Sequence, residues 1–178
     1  MGLIQKLVQV IKPSPTQCSV SLESIKISDA LAACKVLEVS PDSKALLRQF
    51  ENDSTEGGQY RFDYFDSYTG DDTTKMLTYD TQIFASDAFF AILVHLLTEA
   101  ELYGKGPLHR KKTNVFFLKM PKDGRVFVIF LRFVQLSWSE FKWYGTKSGH
   151  EWYLTSYLHE HVKDVAWQKS SRIFRAVT

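Results

Sequence analysis

A chain of 178 residues with 44% hydrophobic and 24% charged side chains has the length and composition of one folded domain, which excludes bulk disorder and leaves little room for a second core. Its formal net charge of +2 is too small to mark the whole surface as a polyanion binder. No run approaches the roughly 18 uncharged apolar residues of a membrane-spanning helix, and the longest, 126–136, is interrupted by Arg132.

The first predicted element is a short amphipathic helix, Met1 to Lys12. Leu3, Ile4, Leu7, Val8 and Ile11 recur at helical spacing, with Gln5, Lys6, Gln9 and Lys12 on the other side. Pro13 and Pro15 end it and impose an extended link, since proline cannot continue a helix and biases its predecessor away from α. This segment does not read as a secretory signal, because its apolar residues alternate with Gln and Lys and no small-residue cleavage site follows. Gly2 raises N-myristoylation, although Lys6 stands where that motif has Ser or Thr.

From Leu22 to Val39 the pattern supports two readings. Ile25-Lys26-Ile27 resembles a strand, and Ser28 to Leu37 a capped helix. Pro41-Asp42-Ser43 makes a turn, Lys44 to Phe50 adds a helical turn, and Asn52 to Gly58 is a polar loop. Tyr60, Phe62 and Tyr64 then alternate with Arg61 and Asp63. Together with Met76 to Tyr79 beyond Gly70-Asp71-Asp72, they suggest a hairpin.

Ser86-Asp87 caps the clearest helix, Ala88 to Tyr103, whose Phe89, Ile92, Leu93, Leu96, Leu97 and Ala100 form a wide apolar face ending at Gly104. Asn114 to Met120 and Arg125 to Leu136 read as strands joined through Pro121-Lys122-Asp123-Gly124, because Asp-Gly suits the positive φ of a tight turn. The second strand is apolar on both faces, which places it centrally. Trp138 to Trp152 suggests a further hairpin, and Glu151 to Trp167 a closing helix. These elements predict an α+β fold: a single domain over 17–178, mostly antiparallel sheet with two or three helices packed on it, preceded by the amphipathic segment and proline linker over 1–16.

Few residues group in ways that carry chemistry. His159-Glu160-His161, with His150 and Glu151 nearby, is the best metal candidate, but histidines two apart on a helix point about 200° apart. His95 and Glu99 are spaced for a hydrogen bond, with no nucleophile motif beside them. Gly104-Lys105-Gly106-Pro107 lacks the spacing of a phosphate-binding loop. Cys18 and Cys34 make neither a disulfide framework nor a zinc set and fit a reducing compartment, with a single bridge between them left open. The expectation is a non-enzymatic protein with no metal, no cofactor and no small-molecule substrate.

Charge is segregated along the chain. Residues 61–103 are strongly acidic, whereas 104–125 hold Lys105, Arg110, Lys111, Lys112, Lys119, Lys122 and Arg125 against Asp123 alone. Lys105, His109, Arg110, Lys111 and Lys112 form a basic patch able to meet RNA phosphates or anionic headgroups, or simply to remain a solvated loop. Trp138, Phe141, Trp143, Tyr144, Trp152 and Tyr153 are either stacking partners for bases or core.

The order of elements resembles the matrix proteins of rhabdoviruses. The likeness rests on Met1 to Lys12, Pro13 and Pro15, Leu77-Thr78-Tyr79, the helix Asp87 to Leu102, Tyr103-Gly104-Lys105-Gly106-Pro107 and Val115-Phe116-Phe117-Leu118. It implies a viral structural protein of the virion that self-associates and links the nucleocapsid to the inner face of a membrane in the host cytoplasm. Leu3, Ile4, Lys6, Leu7, Val8, Ile11 and Lys12 would then contact membrane or a neighbouring subunit. Pro13-Ser14-Pro15-Thr16 does not match the budding motifs of animal-virus members. A nucleic-acid-binding regulator, such as a viral suppressor of host defence, is the alternative expectation.

Overall fold

The computed structural model describes residues 16–34, 37–67, 83–102, 104, 106–135, 150–162 and 171–177. Among these residues eight strands and four helices follow in chain order: β1 (Thr16–Leu22), α1 (Ile27–Ala33), β2 (Leu37–Val39), α2 (Pro41–Arg48), β3 (Gly58–Ser67), β4 (Phe84–Ala85), α3 (Ser86–Leu102), β5 (Thr113–Lys119), β6 (Val126–Gln135), β7 (His150–Leu158), α4 (His159–Val162) and β8 (Ser171–Ala176). The amphipathic segment lies outside the described residues, and Thr16, assigned from sequence to the linker, is the first residue of β1.

All the strands share one open sheet in the order β1-β3-β8-β5-β6-β7-β2, with β4 beside β5. Most neighbours are antiparallel; β8 and β4 run parallel to β5, and β2 runs parallel to β7. The α+β class and mostly antiparallel sheet expected from sequence are therefore correct. So is the β5–β6 hairpin. Gly124 sits at φ 68, its N–H donates to Met120 O at 3.0 Å, and Asp123 Oδ1 accepts from Arg125 N at 3.0 Å. That geometry needs the left-handed residue that glycine adopts without a Cβ penalty.

Alternation along the strands gives the sheet two unlike faces. One carries Phe62, Phe116, Leu118, Ile129, Leu131, Trp152, Leu154 and Phe174, which pack with Ile27 of α1, Leu46 and Leu47 of α2 and the buried face of α3. All six apolar residues expected on α3 are buried, and Phe90 and Ala91 join them. The opposite face holds a smaller cluster, Val115, Phe117, Val128 and Ile173, flanked by Phe65, Ile83, Val126 and Phe130. Among the described residues, no helix contributes to that cluster.

Polar groups fix how the layers meet. Ser40 caps α2, its Oγ accepting from Ser43 N at 3.3 Å, and Pro41 follows at the first helical position, where its missing N–H has no consequence. Ser43, fully buried, accepts from the Ser156 backbone N at 2.7 Å and from Ser156 Oγ at 2.8 Å, which pins α2 to β7. Across β3 and β8, Asp63 faces Arg175 and Asp66 faces Arg172 in register. The matching spacing of three in each strand puts both pairs opposite one another.

Three expectations are corrected. The closing helix over 151–167 is wrong in its first half, which is β7, paired with β6 from Phe127↔Leu158 to Gln135↔His150; among the described residues of that range His159–Val162 is helical, and 163–167 lie outside them. Trp152, Leu154 and Ser156 alternate inward, and the nine-residue ladder overrides local helix preference. Lys26 forms only an isolated bridge to Ser54, so Ile25-Lys26-Ile27 is not a strand, and Ile27 opens α1. The strand at Tyr60 to Tyr64 is paired by β1 and β8 on its two sides rather than by a hairpin partner; Met76 to Tyr79 lie outside the described residues.

Candidate functional site

The basic patch occupies the loop between α3 and β5, and the structure shows what holds it. Beyond α3, Gly104 (φ 58) and Gly106 (φ 96) both take positive φ; a Cβ on Gly106 would sit 3.3 Å from Glu99 Cβ. Leu108 is buried and anchors the loop in the main core. Asn114, with no exposed surface, clamps the rest: its Oδ1 accepts from His109 N at 2.8 Å, and its Nδ2 donates to His109 O at 3.0 Å and Leu131 O at 3.1 Å. One amide side chain thus ties the loop to the centre of the sheet.

The basic side chains have unlike surroundings. Arg110 donates to Ala100 O at 3.3 Å, near the C-terminus of α3, and lies 4.7 Å from the Phe133 ring centroid. Lys112 meets Asp66 at 2.7 Å. Arg172 binds Asp66 at 2.8 Å, donates to Pro107 O at 2.7 Å and sits 4.7 Å over the Tyr64 ring. Burial would push the Asp66 carboxyl up, but hydrogen bonds from Arg172 and Lys112 and their charges outweigh it and hold it at about 2. Burial, together with Arg172 and Lys112, pushes His109 down, and its Nδ1 accepts the Lys111 N–H at 3.0 Å, as a neutral imidazole does. Lys111 is exposed. Lys105 and the seven N-terminal contact residues, Leu3 to Lys12, lie outside the described residues.

The Asn114 clamp yields a direct expectation. Asn114→Ala strips the partner from the His109 N–H and removes the side-chain donor to the Leu131 carbonyl, which keeps its ladder bond; an unpaired buried group costs about 1–3 kcal/mol. Unfolding free energy should fall by about 2–3 kcal/mol in urea titration, and the His109 amide should lose hydrogen-exchange protection. A change below about 0.5 kcal/mol would show that water replaces the clamp at no loss.

The other sequence candidates separate in space. His95 and Glu99 are half-buried on α3, with no hydrogen bond or ion pair joining them. His159 and His161 fall on the single turn of α4, and among the described residues no three His, Cys, Asp or Glu side chains group as metal ligands would. The side chains of His150 and Glu151 lie outside the described part. Cys18 and Cys34 are free thiols. Burial pushes both up, Cys34 to about 11, with Asp63 adding to the effect at Cys18. Trp152 is core rather than surface, whereas Trp138, Phe141, Trp143 and Tyr144 lie outside the described residues.

Two surface features escape the sequence pattern. A shallow groove of about 370 Å³ lies between α1, β2 and α2, lined by Leu31, Leu37, Val39 and Leu47 with Glu38, Lys44 and Arg48. Its charges are of both signs and favour no single ligand charge. On the face of the smaller cluster, Tyr157 is 48% exposed and meets Phe130 edge to face at 5.8 Å, with Arg132 6.0 Å from the Phe130 ring. No helix among the described residues is long and apolar enough to cross a membrane. Comparisons with protein-family models, curated proteins and solved structures find no match to this chain.

Proposed function

We propose that this chain is a non-enzymatic, matrix-like assembly protein of a virion, which self-associates and links a nucleocapsid to a membrane surface. The observation that carries the reading is the open sheet. It ends in β1, a seven-residue edge strand without a charge or a proline, directly after the amphipathic segment. Such an edge is a template for pairing with another chain, and an apolar segment with two lysines beside it supplies an attachment to anionic headgroups. The resemblance of 103–107 and its flanking elements to rhabdovirus matrix proteins supports the same reading. In it, Lys111 and the neighbouring loop meet lipid, nucleocapsid or the acidic 61–103 stretch of another copy.

The test combines light scattering after size exclusion with flotation on phosphatidylserine-containing vesicles, for the full chain and for one lacking residues 1–12. Mass should rise as salt falls, and deletion should weaken vesicle binding at least tenfold. A monomer at low salt and high concentration, with vesicle binding unchanged by the deletion, would sink the reading.

The patch of exposed Tyr157 beside Arg132 and half-buried Phe130 favours a second reading, a nucleic-acid-binding regulator, because an exposed aromatic with an arginine near it stacks on unpaired bases. RNA affinity that falls steeply with salt and is lost in Tyr157→Ala and Arg132→Ala, without vesicle binding, would select it.

A further inference from the structure

We propose that two copies of this chain join through β1, in an antiparallel β1–β1 pairing whose two-fold axis passes through Ser19. The proposal rests on the assembly reading above and names its contact.

The ladder on the inner side of β1 fixes which groups face outward. Arg61 O accepts from Val177 N at 3.1 Å, so the backbone N–H and C=O of Arg61 point toward β8, away from β1. Ser19 lies opposite Arg61 in the β1–β3 register. It is therefore in a non-hydrogen-bonded pair with β3, and its own N–H and C=O point to the open edge, as do those of Gln17 and Ser21. Thr16, Cys18, Val20 and Leu22 spend theirs on β3. Among the described residues no strand pairs with the outer edge of β1, and Gln17, Ser19 and Ser21 are all exposed.

Proteins usually blunt such an edge with lysine, proline, a bulge or short length. β1 has none of these devices: Thr-Gln-Cys-Ser-Val-Ser-Leu is regular and uncharged. It is also self-complementary. With the axis at Ser19, Gln17 pairs with Ser21 of the other copy and Ser19 with itself, satisfying every outward group through about six backbone hydrogen bonds. The same register sets Cys18 beside Val20 and Thr16 beside Leu22, and Cys18 and Val20 continue the half-buried row of the helix-covered face. An axis at Cys18 or at Val20 would leave part of the strand unpaired. The Ser19 register alone overlaps all seven residues. Being isologous, the contact closes as a dimer and leaves the β2 edge and the basic loop for other partners.

The test uses the full chain in solution. Ser19→Pro removes one outward N–H without touching the β3 ladder, and Ser19→Lys places two lysines face to face across the axis. Both should keep their circular dichroism spectrum and weaken self-association at least tenfold by light scattering. Should Ser19→Pro unfold, Ser19→Lys decides. In a Cys18→Ser, Cys34→Ser background, Ser19→Cys should form an intermolecular disulfide on mild oxidation, because opposed Cα atoms lie about 5.5 Å apart. Gln17→Cys should not, its copies being offset by about 13 Å. Association that survives Ser19→Lys, or equal crosslinking by both cysteines, overturns this interface and leaves the assembly reading standing. A native chain that stays monomeric at every concentration and salt overturns both.

Discussion

Replacing Phe116 with alanine will lower the unfolding free energy by about 3–5 kcal/mol, most of the margin of an ordinary domain. Phe116 is where the main core converges. It stacks on Phe174 of β8 at 4.5 Å and 14°, meets Phe89 of α3 edge to face at 5.8 Å, and lies 6.1 Å from Phe84 of β4. Truncation therefore loosens two strands and the longest helix from β5 at once. Each aromatic pair contributes about 0.5–1.5 kcal/mol beyond its buried area, and the rigid sheet cannot collapse into the space left. Phe116→Leu, which keeps much of the volume, should lose less than half as much. Tyr157→Ala on the exposed patch should stay within about 0.5 kcal/mol. Urea titrations of the three variants measure the order; a loss below about 1 kcal/mol for Phe116→Ala would place the centre of the core elsewhere.

What the sequence made legible was local. The Asp123-Gly124 turn and the apolar face of α3 each depend on contacts a few residues apart, and both are found as read. β1 and β8 were not anticipated, because a short strand is specified by its neighbours. β1 exists against β3, and β8 against β3 and β5. β7 was misread as helix for the same reason, since its inward alternation has meaning only beside β6. The candidate site divides likewise. A cluster of basic residues is visible in any sequence, whereas their partners are not: Asp66 is 106 residues from Arg172, and Phe133 and Ala100, which hold Arg110, belong to different elements. The one long-range signal available was the equal spacing of Asp63 and Asp66 with Arg172 and Arg175, which an antiparallel pairing converts into two opposed ion pairs.

Asp66 decides how much of the basic loop faces outward, so Asp66→Asn should change stability and surface charge together. In the folded chain its carboxylate, 24% exposed, receives Lys112 at 2.7 Å and Arg172 at 2.8 Å, and its pKa is held at about 2. That value is below the roughly 3.9 of an unfolded aspartate, so the unfolded chain binds the proton more tightly. The stability contributed is then fully present above about pH 4 and lost as pH falls through about 2. A shift of that size corresponds to roughly 2 kcal/mol near neutral pH. Asp66→Asn should therefore be destabilised by about 2–3 kcal/mol at pH 7, and its unfolding free energy should approach that of the native chain as the pH is lowered toward 2. The same change takes one negative charge from beside Lys112 and Arg172, close to Lys111 and Arg110. Binding to heparin or anionic vesicles should then strengthen, with a steeper dependence on salt. If stability falls while polyanion binding and its salt slope stay fixed, Lys112 and Arg172 serve only the fold. In the assembly role proposed above, any contact with a polyanion or lipid surface would then have to come from Lys111 and the residues before Thr16.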